Sequence, residues 1–135
     1  MPERDYSQRS TVAKLGIGPG QRVEIAGRIG PQLRQEIMTA TARPLTRRGE
    51  LDAAVVLIES LTRGGEIFAK WGARLRDAGC LWIVIHKRGH PRYINQMDLV
   101  PVAKTFGLID NKVCSIDAEL SAIRFVMPLD LRDKR

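Results

Sequence analysis

The apolar positions of this chain recur with two different periods, and the change from one to the other marks its elements. Over 21–26, Val23 and Ile25 alternate with Arg22 and Glu24, the two-residue period of a strand. Residues 53–58 (Ala-Ala-Val-Val-Leu-Ile) and 81–85 (Leu-Trp-Ile-Val-Ile) are unbroken apolar runs, the pattern of strands buried on both faces. Between the strands the period lengthens. Leu33, Ile37 and Ala40 share one face of 31–42, with Pro31 suited to the first helical position. Ile67, Phe68, Trp71 and Leu75 form an apolar stripe over 66–78, with Glu66 and Lys70 four apart on the wet side and Gly79 as the stop. Asp98 suits the N-cap of a helix over 99–106, Pro101 is tolerated in its first turn, and Gly107 closes it. Runs at 112–116 and 122–127 predict two last strands around a turn at 117–121.

The order β-α-β-α-β-α-β-β predicts an α/β fold. It is a three-layer sandwich with a small, mostly parallel, Rossmann-like sheet, right-handed crossovers and a C-terminal antiparallel hairpin at one edge. Residues 1–13 are expected as a flexible arm, 14–128 as a single domain, and 129–135 as a charged tail. There is no internal repeat.

Composition narrows the class. Of 135 residues, 44% are hydrophobic and 27% charged, as in globular proteins in water. No apolar run approaches the ~20 residues of a membrane helix. No secretory signal is visible at the start, and Cys80 and Cys114 do not make a disulfide framework, so a cytoplasmic protein is expected. The net charge is +7. Its densest window runs from Arg63 to Arg92, where seven Lys and Arg stand against Glu66 and Asp77. Arg43, Arg47 and Arg48 form a second cluster. Such a balance suits an anionic ligand, an acidic protein face or nucleic acid; its plain alternative is a solvated surface.

The strongest candidate site lies where the run 81–85 ends, because open α/β sheets bind ligands at the carboxyl ends of their strands. His86, Lys87, Arg88, His90, Arg92 and Tyr93 follow there on one loop, cations for phosphate contact and a ring for stacking. Gly27-x-x-Gly30 before a helix start is correctly placed to cradle a phosphate, with Arg28 adding charge. Gly16-x-Gly18-x-Gly20 precedes a strand and reads as a turn. Cys80 and His86 should lie about 17–20 Å apart along one strand, too far for one zinc ion. Neither His86 nor His90 has a visible nucleophile or carboxylate partner. No catalytic residue, metal or cofactor is therefore assigned. Trp71 and Trp82 are expected in the core, Asp117 and Arg124 as a pair in the hairpin, and Ser121 and Arg124 as possible contacts to a partner.

Two resemblances follow from motifs. Lys14-Leu15-Gly16-Ile17-x-x-Gly20-Gln21-Arg22-Val23, Gly79-Cys80-Leu81-Trp82-Ile83 through His86-Lys87, residues 107–117 and Ser121-x-x-Arg124-Phe125-Val126 resemble a family of small bacterial proteins catalogued as a domain of unknown function (number 3052). The resemblance covers about 12–127 and implies the fold, with no reaction. The chain departs from it at Leu120, where a tryptophan is expected, and in a longer loop after Lys87. The second half also resembles the second half of class I methyltransferases. That resemblance implies a Gly-rich loop after the first strand and an acidic residue ending the second, to hold a ribose. Here only Gly27-x-x-Gly30 follows the first strand, the strand bearing the acid is missing, and Glu59 is the sole substitute. Three readings result: a non-catalytic binding or regulatory domain for an anionic ligand or macromolecular partner, a degenerate methyltransferase-like binder of a nucleotide or S-adenosylmethionine, and an RNA- or DNA-binding protein.

Overall fold

The computed structural model describes residues 11–129. In chain order its elements are α1 (Thr11–Lys14), β1 (Val23–Ala26), α2 (Pro31–Thr41), β2 (Leu51–Leu57), a 3-10 turn (Leu61–Arg63), α3 (Gly64–Gly72), β3 (Leu75–His86), α4 (Gln96–Thr105), β4 (Ile109–Ser115) and β5 (Leu120–Val126). The five strands form one mixed sheet in the order β1-β2-β3-β5-β4. The pairs β1–β2 and β2–β3 are parallel; β5 runs antiparallel to both β3 and β4. The α/β class and the terminal hairpin thus stand, but the sheet is mixed and not mostly parallel, because the last strand is inserted between β3 and β4 and pairs antiparallel on both sides.

Alternation along the strands divides the core into two layers. Ala54, Val56, Leu81, Ile83, Ile85, Ile123 and Phe125 face α3 and α4, where Phe68, Trp71, Leu99 and Ala103 cover them. Ala53, Val55, Cys80, Trp82, Val84 and Ala122 face α1 and α2, under Val12, Leu33 and Ile37. Both tryptophans are buried, Trp82 with its indole N–H donated to the Leu15 carbonyl at 3.1 Å. No helix among the described residues is long and apolar enough to cross a membrane.

Several boundaries differ from the sequence expectation, each for a physical reason. The stripe through Leu75 suggests one helix to 78, yet α3 ends at Gly72 and Leu75 opens β3, opposite Leu51. Burial is satisfied either way, so periodicity alone does not separate the two. Gly79 is a strand residue. It sits where β3 bulges against β2, and a Cβ there would lie 3.0 Å from the Leu51 carbonyl and 3.1 Å from those of Arg76 and Asp52. Asn95, not Asp98, caps α4, its side chain accepting from Met97 N at 2.9 Å, and Pro101 falls inside the helix. Of the expected arm, residues 11–13 belong to α1 with Val12 buried; 1–10, and 130–135 of the expected tail, lie outside the described residues.

The crossovers are not all right-handed. The steps β1→β2 and β2→β3 run the same way along the sheet, yet α2 covers one face and α3 the other. They must therefore have opposite hands, and the α4 crossover shares the hand of α3. In doubly wound sheets helices change face where the strand order reverses. Here they change face at β2, between α2 and α3, although the strand order does not reverse there. The loop after α2 returns along that edge, where Thr46 N–H donates to the Val23 carbonyl at 2.8 Å.

Candidate functional site

The carboxyl ends of β1, β2 and β3 lie side by side and bring together residues far apart in sequence. Glu59 stands just past β2, with its side chain 35% exposed, and His86 ends β3. His86 Nε2 lies 2.8 Å from Glu59 Oε2, and the Arg92 guanidinium lies 3.5 Å from the other carboxylate oxygen. The hydrogen bond from His86 holds the Glu59 carboxyl below its ordinary range; desolvation opposes this and the Arg92 charge adds to it. Gly89, at φ +103, lets the loop fold back so that the His90 ring stacks on His86, 3.7 Å between centroids and 6° from parallel. His90 Nδ1 then accepts the Arg92 backbone N–H at 2.9 Å. The carboxylate partner that was not visible for histidine in the sequence is Glu59, 27 residues away.

This cluster borders a cleft of about 570 Å³. Its floor is Ala26 of β1, Val56 and Leu57 of β2 and Ile58 just past it, its far wall Ile67, Lys70 and Trp71 of α3, and its rim Glu59, Ser60, Arg63, Glu66 and Arg92. Sequence reasoning did not place Ser60, Arg63 or Lys70 at a site, and it noted Glu59 only as a substitute. A lone acid directly after an apolar strand was the available signal.

The remaining expected site residues are divided. Lys87 turns the other way: its Nζ donates to Ser115 Oγ and to the Asp117 carbonyl, both at 2.6 Å, tying the loop to the β4–β5 turn. The Arg88 guanidinium lies over the Tyr93 ring at 5.8 Å. Both residues line a separate hollow of about 420 Å³ with Asn95, Met97 and Val113. The Gly27–Gly30 turn is closed on itself. Gly27 has φ +94 and a Cβ there would fall 2.7 Å from Leu57 Cβ, so the residue is needed for a close approach to β2. Its carbonyl accepts from Ile29 N and from the Arg34 guanidinium. Arg28 is exposed, and Gly30 precedes Pro31 at the start of α2 with open space around it.

Asp117 does not pair with Arg124. Its carboxylate instead accepts the backbone N–H groups of Glu119 and Leu120 at 2.7 and 2.8 Å, closing the hairpin turn. Arg124 lies mid-strand opposite Trp82. Cys80 and Cys114 are free, and burial pushes both thiols up.

No protein-family model matches the chain, and no curated protein matches it. Solved structures do. A TehB-like SAM-dependent methyltransferase from Corynebacterium glutamicum is 14% identical with a TM-score of 0.55, over 87% of this chain and 85% of that one. The magnesium protoporphyrin IX methyltransferase of Synechocystis, with bound SAM, is 12% identical with a TM-score of 0.58, over 87% and 74%. Fibrillarin from Aeropyrum pernix, with natively bound S-adenosyl-L-methionine, is 12% identical with a TM-score of 0.53, over 82% and 68%. The fold is that of SAM-dependent methyltransferases. At these identities the likeness concerns the fold alone.

The cleft differs from the cofactor site that the methyltransferase resemblance implies. With β1 at the edge, no strand among the described residues stands where the ribose-holding acid is expected. Glu59 stands past β2, the strand next to β1 on the other side, and the first turn is occupied by Arg34. These residues do not reproduce that site, and no methyl-transfer step follows from them.

Proposed function

We propose that the chain is a degenerate methyltransferase-like domain that binds an adenosine-type nucleotide in the cleft at the carboxyl ends of β1 and β2. One observation carries the reading: the 570 Å³ cleft coincides with the place where open α/β sheets take their ligands. Its chemistry suits a nucleotide. Arg63, Lys70 and Arg92 supply cations for phosphate oxygens, and Glu59 accepts ribose hydroxyls. Val56 and Ile58 on the floor and Trp71 on the wall offer apolar surface for a base. His86 and His90 then act as positioning residues, holding Glu59 and Arg92 in place.

Thermal unfolding with ATP, ADP, S-adenosylmethionine and S-adenosylhomocysteine at millimolar concentration tests this. A ligand at 100 times its Kd stabilises by about 2.7 kcal/mol, a shift of several degrees for a domain of this size. ADP or ATP should give such a shift, and Glu59→Gln with Arg92→Ala should weaken it at least tenfold. A response to S-adenosylmethionine alone would replace the nucleotide with that cofactor. No response to any of the four would overturn the reading.

A further inference from the structure

We propose that a second cleft, at the opposite end of the sheet, binds a tetrahedral oxyanion of the phosphate class. It is independent of the nucleotide reading. Lys112 of β4 and Arg124 of β5 are direct partners across the hairpin. They lie on the face covered by α1, as their two-residue neighbours Cys114 and Ala122 pack against that layer. Like charges directly opposite on adjacent strands destabilise a sheet. Lys14, at the end of α1, lines the same cleft of about 200 Å³. Three cationic side chains thus line one cleft, Lys14 and Arg124 half-buried and Lys112 exposed.

Nothing described in the protein neutralises them. No ion pair among the described residues includes Lys14, Lys112 or Arg124. Lys112 Nζ donates to the Lys14 carbonyl at 3.2 Å, and Arg124 lines the cleft together with Cys80. Asp52 is the one carboxylate on the lining, and it is engaged elsewhere. Its Oδ2 accepts Arg22 N–H at 2.8 Å, and its Oδ1 lies 3.7 Å from Arg76. The walls are Trp82 and Cys80, both buried, with Arg124 and Lys14 half-buried. Low-dielectric walls around unneutralised cations concentrate a positive potential, which attracts an anion into the cleft. An oxyanion between Lys112 and Arg124 would also turn their repulsion into two charge-assisted contacts. Gly16, whose turn was not used by the other site, forms an open part of the rim.

The test is a titration of the isotopically labelled chain with inorganic phosphate, followed by backbone and indole N–H resonances, with chloride exchanged to hold ionic strength constant. A parallel arm uses glycerol 3-phosphate. Saturable shifts should cluster on 14–17, Cys80, Lys112, Arg124 and the Trp82 indole. Arg124→Gln should weaken binding at least tenfold. Lys112→Gln should raise Tm slightly without phosphate, by relieving repulsion, and weaken phosphate binding; Lys14→Gln gives the same loss if Arg124→Gln does not fold. Tighter binding of glycerol 3-phosphate would make the natural ligand a phosphate ester, and tighter binding of phosphate would make it the free ion. Linear or dispersed shifts, or affinity unchanged in these variants, would overturn the proposal. So would shifts confined to Glu59 and Arg92, which would leave the nucleotide reading intact.

Discussion

The two ends of the sheet handle charge in opposite ways. At the carboxyl end, Glu59 is held by His86 and Arg92, and Lys87 is bound to the hairpin turn. At the other end Lys14, Lys112 and Arg124 share a cleft without a free carboxylate. The sequence suggests the reverse, because the window from Arg63 to Arg92 is the most basic in the chain. The acids that neutralise it come from elsewhere: Glu24 reaches Arg74, Glu50 and Asp52 reach Arg76, and Glu59 reaches Arg92. Local charge density along a chain therefore does not locate an unneutralised charge in space. The partner does.

Four substitutions would break or sharpen this contrast. The largest effect belongs to the first turn. Gly27→Val places a branched side chain at φ +94 and against Leu57, and should cost about 3 kcal/mol. Gly30→Ala, at φ −53 in open space, should cost under about 1 kcal/mol. Urea denaturation of both variants checks this, and equal losses would show that the turn is not held by the approach to β2. Next is Glu24→Gln. Arg74 Nη1 lies 2.7 Å from Glu24 Oε1, while its Nη2 is already buried without a hydrogen-bond partner. Losing the carboxylate should cost about 2 kcal/mol by the same measurement. A neutral result would mean that the pair is solvated.

The smallest effect is pH dependence. The native structure lowers the Glu59 pKa, so its contribution to stability is complete above the ordinary carboxylate value. It is lost as pH falls through the lowered value. Glu59→Gln should therefore be less stable than the parent at neutral pH, with the gap closing in acid. Urea midpoints from pH 7 to pH 3 measure the gap, and a constant gap would show that the carboxylate is not held by His86.

The two interior strands and the amphipathic stripes were legible because each is a local pattern: 53–58 and 81–85 are apolar without interruption, and both became β2 and β3. What was illegible depended on distance. The α3–β3 boundary was lost because Leu75 is buried under either assignment. The hand of the α2 crossover depends on which face a helix covers, which no periodicity encodes. The Glu59–His86 contact joins the ends of two strands 27 residues apart. Lys112 and Arg124 were closer to being readable, since a hairpin turning at 117–119 sets them opposite one another. Lys14 joins them only through the packing of α1.

The most direct test of the central claim is where a nucleotide lands. With the labelled chain and saturating ADP, amide shifts should concentrate on Ala26, Glu59, Ser60, Lys70 and Arg92, around the cleft at the ends of β1 and β2. Shifts concentrated on Lys87, Arg88 and Tyr93, or on Lys112 and Arg124, would contradict it.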